Sequence, residues 1–310
     1  MTTEAVRRAL DASGVRPLRV THLGEGYAAS AYRVRTRAAD RGEDLVLRLP
    51  KAPVERTAAL LRKEARLLPA LERIDFGAAI GLVTPRGMRE VRDGRTFLGT
   101  LHRYVEGTPF PLGLRGGARE RLRANIGRYL AALHSVPPTV TARAGMTSLD
   151  LWGDVYRGLI EETLPHLGPI ARDWLAGMAR AFARRGTSRA PRVLVHGDLS
   201  RTHLFGDMEG NLVGAIDFGE AMVADPAIDF AGVLLSLGQR DLDRVWVHYR
   251  AAGMVVDADA MRRVRFYIAV VPIFRVVHGE AAEGPLERLG GIRQLTARAA
   301  AATRANAGRA

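Results

Sequence analysis

Two aspartates, Asp198 and Asp217, stand at the ends of two short apolar runs, Val193 to Val195 and Leu212 to Ile216. Between them lie an amphipathic piece, Thr202 to Phe205, and a turn through Asp207 to Asn211 with Gly210 as its positive-φ residue. The resulting hairpin brings together two carboxylates that are nineteen positions apart in the chain. Paired strand ends of this kind suit phosphoryl transfer. One carboxylate orients a hydroxyl and accepts its proton, while the other holds Mg²⁺ on the nucleotide phosphates. The competing reading, two ordinary polar turns on a β-hairpin, leaves several neighbouring features to coincidence.

Those features are His196-Gly197-Asp198, His203 five residues after the aspartate, Ile216-Asp217-Phe218-Gly219, and the downstream Asp225-Pro226 and Asp229-Phe230. Together they resemble the catalytic and metal-binding loops of the protein-kinase-like aminoglycoside and macrolide phosphotransferases. Leu130 to Pro137 is similar to the L-x-x-L-H-x-[IV]-P segment of the same enzymes. Val46 to Pro50 is similar to their V-L-R-[IL]-P, which makes the macrolide 2′-phosphotransferases the nearest group. The resemblance implies an α+β, two-lobed protein-kinase-like fold, with a small antiparallel-sheet N-lobe and a mainly helical C-lobe. It also implies Asp198 as the catalytic residue, His203 and Asp217 as Mg²⁺ ligands, and GTP or ATP as phosphoryl donor.

The elements that must position these groups are legible in order. Thr3 to Ser13 reads as a helix stopped by Gly14, and Val15 to Thr21 as an edge strand limited by Pro17. Gly24, Gly26 and the small residues through Ser30 form a hairpin whose backbone amides could approach phosphate oxygens. The third glycine of a kinase-type loop is absent. In the strand Asp44 to Pro50, period two puts Leu45, Leu47 and Leu49 on one face and Val46 and Arg48 on the other. By the resemblance, Val46 lies under the base and Arg48 on the phosphates; Lys51 is the alternative cation, in the wrong phase and after Pro50. Val54 to Leu71 is a helix, and its Glu64 is either the partner of that cation or half of a surface ion pair. Gly81 to Arg89 and Phe97 to Val105 should complete a five-stranded sheet. Arg103 to Gly107, with Tyr104, reads as a hinge at about 102–107, dividing an N-lobe, 1–105, from a C-lobe, 106–310.

In the second half, Arg115 to Val136 is a long helix ending at His134, which reads as structural rather than catalytic. Leu149 to Ala183, Phe230 to Leu237, Asp241 to Ala252, Ala258 to His278 with a kink at Pro272, and Leu286 to about Arg304 supply further helices. Trp152, Tyr156 and Trp174 suit the core better than a substrate cavity. Asp229, Glu280 and Glu283 are the candidate substrate contacts. Asp150, Asp154, Glu161 and Glu162 are further carboxylates on segments that should wall the acceptor pocket.

Composition narrows the partners. The net charge is +13 and the pI about 11.0, yet lysine occurs only at Lys51 and Lys63, and the arginines run the length of the chain without a block. Val195 to Phe230 holds seven acidic residues and one arginine. A nucleic-acid module concentrates positive charge at its working face, so the bias is compositional and nucleic acid is not the expected partner. With no cysteine, disulfides, zinc–thiolate sites and cysteine nucleophiles are excluded. No apolar run approaches the ~18 residues of a membrane span, and a cytoplasmic monomer is expected. The expected acceptor is a small-molecule antibiotic. A macrolide, with one amine on an apolar ring, fits the sparse carboxylates better than an aminoglycoside with several ammonium groups. The aminoglycoside remains close behind, because Ile216 to Phe230 also resembles a segment of those enzymes, and a metabolic small-molecule kinase is third.

Overall fold

The structure, a computed structural model, describes residues 3–36, 44–52, 54–111, 113–184, 190–283 and 285–307. Its first part contains α1 (Thr3–Ser13), β1 (Pro17–Glu25), β2 (Ala29–Thr36), β3 (Asp44–Pro50), α2 (Val54–Glu72), β4 (Arg89–Asp93) and β5 (Thr96–Arg103). The strands form an antiparallel sheet in the order β1-β2-β3-β5-β4. Alternation along β3 works as its sequence requires. Leu45, Leu47 and Leu49 are buried with Val6, Ala9 and Leu10 of α1, while Val46 and Arg48 face the opposite side. That opposite face is where α2 and a deep cleft lie.

The rest is mainly helical. In order come β6 (Thr108–Pro109), α3 (Gly116–His134), α4 (Pro138–Arg143), α5 (Arg157–Thr163), α6 (Pro169–Arg184), β7 (Val193–Val195), β8 (Leu204–Gly206), β9 (Leu212–Ala215) and β10 (Met222–Ala224). They are followed by α7 (Ala227–Leu237), α8 (Gln239–Ala251), α9 (Ala260–Val270), α10 (Pro272–Glu283) and α11 (Pro285–Ala307). The expected α+β, kinase-like architecture is therefore present. No helix among the described residues is long and apolar enough to cross a membrane.

Two local expectations change. Residues 81–88 add no strand to the five-stranded sheet; Val83 instead bridges Gly214 beside β9, and Leu82 and Met88 enter the large helical core. The C-terminal half of α2 joins the same core through Leu67, Leu68 and Leu71. Pro272 starts α10 rather than kinking one long helix, as a residue without an N–H does at a first turn. Trp152 packs on Phe182 and Phe266, in keeping with a core role.

One buried polar cluster ties α9 to the loop after β10. Arg263, 3% exposed, donates through Nε to Asp225 Oδ2 at 2.7 Å and through Nη1 and Nη2 to Asp257 at 2.8 and 2.7 Å. Tyr267 donates its hydroxyl to the same Asp225 oxygen at 2.8 Å, and Asp225 Oδ1 accepts from Ala227 N–H at 3.0 Å. Removing one member of a buried ion pair strands the other in a medium that solvates it poorly. Arg263→Ala is accordingly expected to destabilise the fold by about 3 kcal/mol or more, measured by urea unfolding. A loss below about 1 kcal/mol, the range of an exposed pair, would contradict a buried role.

Candidate active site

After β7 the chain turns sharply through Gly197, whose φ is +81° and whose position has no room for a side chain. A Cβ there would lie 2.3 Å from the Glu220 carbonyl oxygen, so the loop carrying Asp198 and the turn after Asp217 are in backbone contact. His196 joins the two loops again: its Nε2 donates to the Ile216 carbonyl at 3.0 Å. Burial holds the His196 ring below its usual pKa, Asp229 opposing.

The expected substrate role of Asp229 does not survive. Asp229 is fully buried, on the first turn of α7. Its carboxylate accepts from the backbone N–H of His196 at 2.9 Å and of Gly197 at 3.0 Å, and faces His134 Nε2 at 3.2 Å. His134 Nδ1 meets the Tyr249 hydroxyl at 2.9 Å. Asp229 thus anchors the loop that presents Asp198 and has no surface left for a ligand; His134 is structural, as its sequence context suggested. Glu280 and Glu283 belong to α10, but their side chains lie outside the described residues.

A second buried cluster joins the sheet to Asp217. Arg48 Nη1 pairs with Glu64 Oε2, and Nη2 donates to Asp217 Oδ1 at 2.9 Å. The other Glu64 oxygen accepts from the Phe218 N–H at 3.1 Å. Glu64 is fully buried, so it is no surface pair. Burial pushes its pKa up against the pull of Arg48. For Arg48, burial favours the neutral form, but Glu64 and Asp217 outweigh it and hold the guanidinium charged. At Asp217 burial is likewise overcome, by Arg48 and then His203, and the carboxyl stays below its usual range. Asp217 has φ +64°, a left-handed conformation uncommon for a side chain other than glycine's; backbone strain of this sort gathers where geometry is over-determined. Lys51 is elsewhere, with its ammonium 3.2 Å from Glu25 and donating to the Gly26 carbonyl at 3.3 Å.

His203 stands between the two aspartates. Its Nδ1 lies 2.7 Å from the Asp198 carbonyl oxygen, which can only accept, so in a neutral ring Nδ1 carries the proton. Nε2 then turns a lone pair toward Asp217 Oδ2, 3.8 Å away. Two electron-pair donors facing one another suit a shared divalent cation. Among the described residues no group of three or more His, Asp or Glu could hold a metal by itself. Mg²⁺ bound with a nucleotide needs one or two protein ligands, the remainder being phosphate and water, and the oxygen of Asp217 is the harder donor. The residues present fit the ion.

Two cavities meet at this wall. A cleft of about 560 Å³ lies under the β1–β2 hairpin, lined by Gly24, Gly26, Val46, Arg48, Glu64, Tyr104, His203 and Asp217 among others. Ser30 does not line it; its buried hydroxyl faces Glu25 at 3.4 Å within the hairpin. His102, Phe205 and Ile216 also line the cleft and were missed, because alternation along β5 and β8 does not by itself say which of their faces turns toward it. Burial pushes His102 down to about 4, so its ring is neutral there. The second cavity, about 730 Å³, receives Asp198 together with Glu220, Lys63, Tyr156, Met222 and Phe274. Asp150, Asp154, Glu161 and Glu162 do not line it.

Residues 19–267 match the family described as Phosphotransferase enzyme family, APH. The chain superposes on the GDP and kanamycin complex of APH(2'')-IIIa with a TM-score of 0.79 at 23% sequence identity, covering 95% of this chain and 98% of that one. On the apoenzyme of macrolide 2′-phosphotransferase MphH from Brachybacterium faecium the TM-score is 0.71 at 19% identity, covering 94% and 98%. At such identities the likeness is one of fold. A stretch of 80 residues is 34% identical to the uncharacterized protein YcbJ of Bacillus subtilis (strain 168). It spans 26% of the length of that curated relative.

Burial among the cavity walls pushes the Asp198 carboxyl up to about 6, with Asp217 and Glu220 adding and the His203 ring opposing. Its side chain still keeps 59% of its surface open, and solvent there screens part of the shift. Carbon-detected NMR titration of Asp198 should give a pKa near 6, or somewhat below, that falls in Glu220→Gln as a like charge is removed. A value at the ordinary 3.8 would mean that the open cavity solvates the carboxylate fully.

Proposed function

The chain belongs to the phosphotransferase enzyme family, and on that premise we propose that it moves the γ-phosphoryl group of GTP or ATP to a hydroxyl of a small-molecule antibiotic, a macrolide at its 2′-hydroxyl. One observation carries the reading: Asp217 and Asp198 sit on adjoining loops but open into different cavities. In the proposed arrangement the nucleotide fills the smaller cleft, with its base near Val46 and Tyr104 and its phosphates near Arg48 and the Gly24–Gly26 hairpin. The cleft then lies between residues 1–105 and 106–310, with the hinge at about 102–107. The acceptor fills the other cavity.

Chemistry follows from that placement. The acceptor oxygen forms a bond to the γ-phosphorus as the bond from phosphorus to the β–γ bridging oxygen breaks, and the hydroxyl proton passes to Asp198. The nucleoside diphosphate leaves with the bridging electrons. Asp217, with His203, would hold Mg²⁺, which supplies charge neutralisation of the phosphates when bound. Arg48, already charged and held by Glu64 and Asp217, is in place before the nucleotide arrives, which is the economy of a preorganised electrostatic site.

The acceptor class rests on the cavity's chemistry. Leu149, Leu151, Val155, Met222, Ile228 and Phe274 make much of its wall apolar. Among the described residues its carboxylates besides Asp198 are Glu220 and Glu287, and Glu287 is already paired with Arg275 at 2.6 Å. One unpaired carboxylate beside Asp198, among the described residues of an apolar cavity, suits a single amine on a large apolar ring. An aminoglycoside would bring several ammonium groups to a wall that also holds Arg56, Lys63 and Arg275.

A panel of macrolides and aminoglycosides, assayed for phosphorylated product by mass spectrometry, tests this directly; product from aminoglycosides alone would overturn the macrolide reading. Asp198→Ala should lose ~10²-fold or more in turnover and keep Mg·nucleotide binding, whereas Asp217→Ala should lose that binding too. More than about a tenth of wild-type turnover in Asp198→Ala is incompatible with a positioned base. Arg48→Ala should weaken nucleotide binding or turnover strongly and Lys51→Ala slightly, since Lys51 is held by Glu25. GTP is expected to serve at least as well as ATP. A kcat/KM preference for ATP beyond tenfold, about 1.4 kcal/mol, would contradict this.

A further inference from the structure

We propose that Arg56 and Lys63 form an anion subsite on the acceptor side of Asp198, which takes the phosphate monoester of the newly phosphorylated product. The inference rests on the small-molecule phosphotransferase reading but not on the identity of the acceptor.

The two residues lie seven positions apart on α2, so they project from one face of the helix. Both line the cavity into which Asp198 opens. That helix is held against the turn after Asp217 by the bond from Phe218 N–H to Glu64. The cationic face is thus locked in place relative to the reacting residues. Among the described residues neither side chain makes an ion pair or hydrogen bond; Arg56 lies over the Tyr27 ring at 5.6 Å. Arg275, the other guanidinium of the cavity, differs in being occupied by Glu287. Burial draws the Lys63 ammonium below its usual pKa, with Glu220 and Glu64 opposing. Lys63 is thus a half-buried ammonium and Arg56 an exposed guanidinium, neither with a carboxylate in direct contact among the described residues, and an incoming anion would pair them.

The reaction supplies that ligand. A phosphate monoester brings a charge of about −1.5 to −2 at neutral pH into a cavity where Glu220 repels it, while Asp198 has just taken up the hydroxyl proton. Charge moves from the nucleotide cleft to the acceptor cavity as the group crosses, and the only cations there without a carboxylate partner, among the described residues, are Arg56 and Lys63. The same anion chemistry could come from an acidic group already on the acceptor, and the two sources have different kinetic signatures.

The test is calorimetric titration of inorganic phosphate into full-length enzyme saturated with Mg·GDP, in the wild type, Lys63→Met, Arg56→Gln, the double variant and Lys63→Arg. Arg56 is exposed, so Arg56→Gln should fold normally, and melting curves check the others. Phosphate affinity is expected to fall at least tenfold in the double variant and to be kept in Lys63→Arg. Equal affinity in wild type and double variant overturns the proposal. This arm uses no acceptor, so it stands even if no antibiotic is phosphorylated. With a working acceptor, the inhibition constant of the phosphorylated product should rise about tenfold in each single variant, well beyond any rise in acceptor KM. A tenfold rise in acceptor KM with product inhibition unmoved would assign the subsite to the acceptor's own acid group, and the proposal for the product would fall.

Discussion

The buried junction of Arg48, Glu64 and Asp217 is the constraint on which the rest depends. Three charges from β3, α2 and the end of β9 share one poorly solvated volume, and none is stable there without the others. The sheet must present Arg48 on the face away from α1, so β3 has one admissible phase. The helix must place Glu64 inward, and Leu61, Leu67, Leu68 and Leu71 bury the rest of that face. Because Glu64 also receives the Phe218 N–H, the backbone beyond Asp217 is held by the same carboxylate that holds the arginine. A shift of any one element by a residue would strand a charge.

A second anchor works on the other carboxylate by different means. Asp229 binds backbone rather than cation: two successive amides, His196 and Gly197, point at one buried carboxylate. His134 of α3 completes its shell and is itself held by the Tyr249 hydroxyl of α8. The loop bearing Asp198 is therefore fixed from behind while its side chain stays open in front. His196 then reaches across to the Ile216 carbonyl, so the two anchored loops are also fixed to each other.

Much of this was legible in the sequence where local rules decide. Alternation placed Arg48, the leucine spacing placed α2, and the turn at Gly210 placed the β8–β9 hairpin; the segment 193–231 pointed to the family by itself. Legibility failed where tertiary packing chooses among equivalent chemistries. Asp229 and Asp198 are both aspartates after polar turns, and only burial separates an anchor from an open carboxylate. Residues 81–88 look like a strand by composition, but Val83 pairs beside β9 rather than within the larger sheet. Asp150 and Asp154 sit on the predicted wall segment, yet Leu151, Val155 and Tyr156 are the residues that face the cavity. Which side of a short helix looks inward is settled by neighbours distant in sequence.

The wall formed by Asp198, His203 and Asp217 divides two cavities, and this division has a kinetic consequence under the proposed roles. Under those roles nucleotide and acceptor occupy separate chambers, so both can be bound at once. Transfer then occurs once across the wall, within a ternary complex and with no phosphorylated protein in between. Initial-rate lines at varied nucleotide and acceptor should then intersect rather than run parallel, the signature of a sequential rather than a ping-pong scheme.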